Sequence, residues 1–198
     1  MHEPLGVVLA GGRGRQLGGE KTLVSLRDKA LAVWVYEALS SALEDVVVAC
    51  KPETTLPVMR GLTQAWVEPE HPRSPLAGLR WALEGAGGRS ILVCSLSFPL
   101  ISPDLVRRLA TAACDGCAAV VPETPFGLQP LVARYEPHAL DLLPSDPMAA
   151  LVPAVAALNP RRIRVDSDAL YEILTPEDLL RADAVLDRAR PVKAKATV

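Results

Sequence analysis

The feature that most constrains this chain is a glycine-rich loop that directly follows a short apolar run. Residues 5–10 (LGVVLA) are typical of a buried strand, and the loop occupies residues 9–21 (LAGGRGRQLGGEK). Five of the nine residues from 11 to 19 are glycine, which suits neither helix nor strand. Such a loop turns tightly and presents N–H groups to an anion, and Arg13, Arg15 and Lys21 add positive charge. Its place after the first strand favours phosphate binding over a flexible surface loop.

The loop matches neither of the two common phosphate-binding patterns. The spacing from Gly14 to Gly19 resembles a Walker A loop, but Glu20 intrudes before Lys21. Residues 12–18 also miss the G-x-G-x-x-G spacing of dinucleotide-binding folds. An NAD-dependent dehydrogenase ranks last, because Glu53 is the only acidic residue near the end of the second predicted strand.

Apolar, β-branched runs alternate with helix-like segments along the chain. We predict strands at 5–10, 45–50, 65–68, 90–95, 118–122, 128–135 and 162–165. We predict helices at 30–43, 57–62, 75–84, 103–113, 137–143, 147–158 and 176–190. The alternation indicates a three-layer α/β/α, doubly wound fold with a mostly parallel, Rossmann-like sheet, in which ligands bind beyond the carboxyl ends of the strands. We expect a single domain over residues 1–190 and a frayed tail at 191–198.

Composition and charge narrow the class of partner. The formal net charge of the 198 residues is −2, so we expect no nucleic-acid partner. We recognise neither a signal peptide nor a membrane-spanning run, so we expect a cytoplasmic protein without a membrane partner. We expect the four cysteines to be buried thiols; for Cys114 and Cys117, a C-x-x-C pair, the alternatives are a redox motif or half a zinc site.

Several motifs, in order along the chain, resemble those of the molybdenum cofactor guanylyltransferase family, whose fold is that of the sugar-nucleotide transferases. The first loop is similar to its L-A-G-G-x-x-x-R-M-G-x-x-K signature. Residues 74–79 (SPLAGL) resemble its G-P-L-A-G-L, with Ser74 in place of glycine. Residues 127–131 (GLQPL) resemble its G-x-Q-P-L, and residues 175–179 (TPEDL) its N-T-P-E-D-L. The resemblance covers nearly the whole chain.

The resemblance implies a transferase that moves GMP from GTP to the phosphate of molybdopterin and releases pyrophosphate, with Mg²⁺ as cofactor. It implies catalytic roles for Arg15 and Lys21, with Lys21 neutralising charge near the α-phosphate. It implies acceptor contacts at Gln129 and Pro130, and other molybdenum-cofactor proteins as partners. The nucleotide-binding residues that it implies are Leu9, Ala10, Gly11, Gly12, Arg13, Gly14, Lys21, Pro75, Leu76, Ala77 and Gly78.

The chain differs from the family at several positions that the family uses to bind the metal and the triphosphate. Ser97 stands at the position of the family's metal-binding aspartate, and a hydroxyl is a weaker Mg²⁺ ligand than a carboxylate. Gln16 precedes the Leu17-Gly18 pair where the family has arginine, and Glu172 and Leu174 replace two asparagines. Candidate replacement carboxylates are Glu20, Glu68, Glu70 and Glu172.

Three functions remain open at this point. The first is an active guanylyltransferase, and the second is the same chemistry with CTP or another acceptor. The third is a relative that has lost catalysis and binds a nucleotide or cofactor. Asp178 is interpreted as a first-turn residue of the last helix rather than as part of the site.

Overall fold

The computed structural model describes residues 3–12 and 14–188 and is built around one eight-stranded sheet. The strands of the chain are β1 Leu5–Leu9, β2 Ser25–Leu26, β3 Lys29–Ala30, β4 Val46–Cys50, β5 Ala65–Val67, β6 Ile91–Ser95, β7 Ala119–Thr124, β8 Gly127–Leu128, β9 Val132–Tyr135 and β10 Arg161–Arg164. The sheet order is β10-β7-β9-β6-β1-β4-β5, with β8 paired to β7, while β2 and β3 form a separate hairpin. β9 and β8 run antiparallel to their neighbours, and all other pairs in the large sheet are parallel.

Helices cover both faces of the sheet. They are α1 Leu31–Ser40, α2 Pro75–Gly85, α3 Pro103–Thr111, α4 Ala139–Leu142, α5 Leu151–Ala157 and α6 Pro176–Arg188, with 3₁₀ turns at Arg15–Leu17 and Ser167–Leu170. Successive strand residues point to opposite faces: Val8 packs in a cluster with α1 and α3, and Val7 in a cluster with α2, α4 and α5. The predicted mostly parallel α/β fold class is confirmed.

Sequence signals fix where α2 and α3 begin. Ser74 Oγ accepts a hydrogen bond of 3.0 Å from Ala77 N, and Ser102 Oγ accepts one of 3.2 Å from Leu105 N. A proline follows each serine, where its missing N–H costs nothing and its fixed φ suits the first helical turn. Ser74, which replaces the family's glycine, therefore serves as the N-cap of α2.

Several predicted elements differ from the observed ones. The helix predicted at 57–62 is wrong: the segment starts at Pro57, and Gly61 has φ +87°, outside the helical region. The strand predicted at 128–135 is two strands, β8 and β9, and the β2–β3 hairpin was not predicted. The end of the last predicted helix and the predicted tail at 191–198 lie outside the described residues.

The cysteines follow the prediction at two positions only. Cys50 and Cys94 are buried thiols. Cys114 and Cys117 form a disulfide, so the prediction of free thiols is wrong for this pair; the turn at Gly116 (φ +77°) brings their Cα atoms to 5.1 Å. No helix within residues 3–12 and 14–188 is both long and apolar enough to cross a membrane.

A buried arginine links the end of α3 to the sheet through hydrogen bonds. Arg134 in β9 is 2% exposed. Its guanidinium donates to Leu109 O at 3.2 Å, Ala110 O at 2.5 Å and Ala112 O at 2.9 Å, and it pairs with the Glu136 carboxylate at 2.9 Å. The cation thus satisfies carbonyls that the last helical turn leaves free.

Replacement of this cation tests that role. We expect Arg134→Met to lower the free energy of unfolding by about 3 kcal/mol, because three carbonyls and a carboxylate lose their partner. Urea unfolding followed by circular dichroism measures the change. The control is Arg161→Met: the exposed Arg161 donates to Ala113 O near the same helix end, so its loss should cost less than about 0.5 kcal/mol. Equal losses in the two variants would contradict the assignment.

Candidate functional site

A cavity of about 420 Å³ opens at the carboxyl ends of β1, β4 and β6. These strands are parallel and adjacent in the sheet, so the loops that follow them meet at one edge. The amino end of α2 closes one side. The lining residues are Leu9, Gly11, Gly12, Arg15, Lys51, Glu68, Arg73, Ser74, Pro75, Gly78, Ser95 and Leu131.

The glycine-rich loop folds back on itself beside the cavity. Gly14 has φ +59°, and a Cβ there would lie 2.6 Å from Gly19 O, so the tight return requires glycine. Leu17 N donates to Gly14 O at 2.8 Å and closes the 3₁₀ turn, which places the exposed Arg15 at the cavity. Arg13 lies outside the described residues. The loop therefore presents backbone and one arginine to the cavity, an arrangement that suits an anion.

The structure brings some of the predicted nucleotide-binding residues together and separates others from the cavity. Five of them line it: Leu9, Gly11, Gly12, Pro75 and Gly78. Arg15, which was predicted to be catalytic, lines it as well. Ala10 and Leu76 are 1% and 0% exposed and pack in the core instead. Ala77 uses its N–H in the cap of α2.

The predicted acceptor residues do not line the cavity. The Gln129 side-chain amide donates to Thr124 Oγ1 at 3.5 Å, and Pro130 O accepts a bond of 2.7 Å from the buried Tyr135 hydroxyl. The next residue, Leu131, is the one that reaches the cavity wall. The two residues therefore hold the segment that carries Leu131 against β7 and β9.

The side chain of Lys21 crosses from the glycine-rich loop to the end of β6. Its Nζ donates to Ser97 Oγ at 2.7 Å and to Ile173 O at 3.2 Å, and the residue is 8% exposed. Burial lowers the pKa of Lys21, and the negative charge of Glu172 partly opposes that shift. Loss of hydration raises the pKa of Glu172, and the charge on Lys21 partly opposes it. Ser95 joins this pair to the cavity, since it lines the cavity and Ser97 N donates to its Oγ at 3.2 Å.

The groups around Ser97 are not suited to coordinate a magnesium ion. Ser97 Oγ already accepts hydrogen bonds from the Lys21 ammonium and, at 3.4 Å, from Ser95 Oγ. Within residues 3–12 and 14–188, no group of three or more His, Cys, Asp or Glu side chains is placed to hold a metal. Hard divalent cations favour carboxylate oxygens, and the side chains that bind Ser97 Oγ are an ammonium and a hydroxyl.

Three of the four candidate replacement carboxylates already interact with other groups of the protein. Glu20 accepts from Thr55 N, and the exposed Glu70 lies near His71 and Arg73. Glu172 is coupled electrostatically to Lys21. None of these three lines the cavity.

Glu68 is the functional candidate that the sequence did not rank. It is buried, and its Oε2 lies 3.0 Å from Lys51 Nζ, which also donates to Pro69 O at 2.5 Å and Pro72 O at 3.3 Å. Of the four candidate replacement carboxylates, Glu68 is the one that lines the cavity. A Cβ on Gly11 would lie 2.4 Å from Glu68 Oε1, so glycine lets the loop approach this carboxylate. A usable signal existed: Lys51 and Glu68 each follow a strand directly, and those strands pair side by side.

The T-P-E-D motif positions the backbone that binds Lys21. Thr175 N donates to Asp178 Oδ2 at 2.9 Å, and Asp178 N donates to Thr175 Oγ1 at 3.3 Å, a reciprocal cap at the start of α6. Leu174 N also donates to Asp178 Oδ2 at 3.0 Å. The cap fixes the segment in which Ile173 N binds Ser97 O at 2.7 Å and Ile173 O binds Lys21. Asp178 is thus a helix-start residue, as interpreted from the sequence.

The cap should be sensitive to acid. The hydrogen bond from Leu174 N and those from Thr175 hold the pKa of Asp178 below its ordinary value of 3.8. A lowered pKa means that the stabilisation is present above pH 4 and is lost as pH falls through the lower, folded value. We expect Asp178→Asn to lower the free energy of unfolding by about 1 kcal/mol at neutral pH, with a smaller loss at pH 2. Urea unfolding at both pH values checks this; an equal loss at both would contradict it.

With this geometry described, the chain can be compared with known proteins. Residues 6–157 match the sequence model of the MobA-like NTP transferase domain. A molybdenum cofactor guanylyltransferase from Cereibacter sphaeroides is 32% identical over 192 residues, which cover 91% of this chain and 96% of that protein.

Solved structures share the fold. The molybdopterin-guanine dinucleotide biosynthesis protein A from Archaeoglobus fulgidus superposes with a TM-score of 0.66 at 25% identity, covering 92% of this chain and 98% of that one. A Mycobacterium tuberculosis protein in complex with manganese has a TM-score of 0.68 at 17% identity, covering 91% and 97%. The chain therefore belongs to the MobA-like NTP transferase family.

Proposed function

We propose that this chain transfers GMP from GTP to the terminal phosphate of molybdopterin and releases pyrophosphate. The observation that carries the proposal is the cavity at the strand ends, which has a glycine-rich anion loop on one side and the buried carboxylate of Glu68 on another. The membership of the family and the guanylyltransferase relative support the reaction class. The proposal keeps the reaction in a single domain.

The phosphates belong on the loop side of the cavity. Backbone N–H groups near Gly11 and Gly12, together with the Arg15 guanidinium, offer the donors that a triphosphate needs. Lys21 adds a positive charge behind this surface, next to Ser95. Its burial strengthens its attraction to a phosphate, because water screens its charge less.

The base belongs on the side of α2, where Glu68 favours guanine. Guanine presents two adjacent donors, N1–H and the 2-amino group, and a carboxylate accepts both. Cytosine presents one amino donor beside the N3 lone pair, which a carboxylate oxygen repels. Glu68 is held in place by Lys51, so its oxygens keep a fixed direction. This arrangement supports GTP over the CTP alternative.

The chemistry is an in-line substitution at the α-phosphorus. An oxygen of the acceptor phosphate forms a bond to that phosphorus, and the bond from the phosphorus to the bridging oxygen of the β-phosphate breaks, so that pyrophosphate leaves. Positioning and charge neutralisation supply most of the rate in such reactions. Arg15 and Lys21 are the catalytic candidates for the charge that develops on the phosphates. We also propose that Gln129 and Pro130 lie on the side of the cavity that binds the acceptor. They act by holding the segment that ends at Leu131.

The guanine proposal predicts a loss of discrimination in Glu68→Gln. Inosine triphosphate lacks the 2-amino group, so the wild-type chain should bind GTP at least about tenfold more tightly than inosine triphosphate. Glu68→Gln should bind both about equally, because its amide does not reproduce two acceptors. Calorimetric titration measures the ratio. The control is Glu70→Gln, an exposed neighbour that should keep the wild-type ratio. An unchanged ratio in Glu68→Gln would exclude Glu68 from base recognition.

The transfer reaction itself is testable by pyrophosphate release. With GTP and molybdopterin, the purified chain should release pyrophosphate, and Arg15→Met should lower kcat/KM by about 100-fold because charge on the phosphates loses a partner. GTP alone is the control and should release none. Tight GTP binding without pyrophosphate release under any condition would favour the binding relative that has lost catalysis, for which Ser97 is the specific observation.

A further inference from the structure

The contact between Lys21 and Ser97 has a consequence for how a bound triphosphate is neutralised. We propose that the Lys21 ammonium, anchored by Ser97 and Ile173, supplies the positive charge that a divalent cation bound at Ser97 would otherwise supply, so that GTP binding depends little on Mg²⁺. The inference rests on the proposed function and concerns the same site.

The first support is the pair of anchors. Both partners of Lys21 Nζ, the hydroxyl of Ser97 and the carbonyl of Ile173, are neutral. Across the described part of the chain, Lys21 forms no ion pair with a carboxylate. The charge of Glu172 acts on the ammonium only from beyond ion-pair distance. Of the three N–H donors of the ammonium, two bind Ser97 and Ile173 and one remains for a phosphate oxygen.

The second support is the saturation of Ser97. A hydroxyl oxygen has two acceptor positions, and Ser97 Oγ accepts from Lys21 Nζ at 2.7 Å and from Ser95 Oγ at 3.4 Å. A divalent cation bound to Ser97 Oγ would displace one of these donors. It would also stand beside the Lys21 ammonium, and the two positive charges would repel each other.

The third support is the rigidity of the arrangement. Lys21 and Ser97 are 8% and 5% exposed, and the Ile173 segment is fixed both by its bond to Ser97 O and by the cap at Thr175 and Asp178. The ammonium is thus held in one place before a ligand arrives. A preorganised charge stabilises a phosphate without the cost of ordering a flexible side chain.

The test compares GTP affinity in EDTA with GTP affinity in excess Mg²⁺, by calorimetric titration of the full chain. For the wild type we expect the two dissociation constants to agree within about threefold. Ser97→Asp should make binding at least about tenfold tighter in Mg²⁺ than in EDTA, because the new carboxylate pairs with Lys21 and creates a cation ligand. Ser97→Asn, which matches aspartate in size but carries no charge, should keep the wild-type behaviour.

A second variant tests the ammonium directly. Lys21→Met should weaken GTP binding in EDTA by at least about tenfold, while Lys29→Met, which removes a lysine paired with Glu37 away from the cavity, should leave it unchanged. Melting curves identify variants that fail to fold, and the wild-type comparison does not depend on any variant.

The outcomes separate this inference from the proposed function. A wild-type chain that binds GTP at least tenfold more tightly in Mg²⁺ overturns the inference and leaves the proposed function intact. Strong binding by Lys21→Met in EDTA overturns it as well. A folded wild-type chain that binds GTP in neither condition overturns the proposed function and the inference together.

Discussion

The site depends on the two hydrogen bonds of the Lys21 ammonium. They join three segments that are far apart in sequence: the glycine-rich loop, the turn after β6 at Ser97, and the segment before α6 at Ile173. Two oxygens replace part of the hydration that this lysine loses on burial, and burial still lowers its pKa. An anionic ligand would complete that replacement, which is the physical link between the fold and the proposed chemistry.

A second buried cation arranges the opposite side of the cavity. Lys51 binds Glu68 and two loop carbonyls, and so turns a carboxylate towards the glycine-rich loop, where Gly11 leaves room for it. The two lysines have different roles. The two hydrogen-bond partners of Lys21 are neutral, and we propose that its ammonium binds a phosphate, whereas Lys51 pairs with Glu68 and positions that carboxylate. In the proposed function, one side of the cavity binds the phosphates and the Glu68 carboxylate on the other side accepts hydrogen bonds from the base.

The sequence predicts this architecture well where local signals are strong. The apolar runs that became β1, β4 and β6 and the serine-proline starts of α2 and α3 carry their own periodicity or caps, and these elements are confirmed. The helix predicted at 57–62 failed because Gly61, with φ +87°, interrupts a short apolar run. The contacts of Lys21 with Ser97, 76 residues away, and of Lys51 with Glu68 depend on which strands lie side by side. No local pattern predicts the order of the strands in the sheet. From the sequence, Ser97 could therefore be interpreted only as the replacement of a metal ligand.

The most direct test of this account is a crystal structure of the chain grown with GTP and Mn²⁺, with the metal located by its anomalous scattering. The account predicts a triphosphate oxygen within hydrogen-bond distance of Lys21 Nζ, the guanine edge against the Glu68 carboxylate, and no manganese coordinated by Ser97. A manganese ion bound to Ser97 or Glu172, or a triphosphate placed away from Lys21, would contradict it.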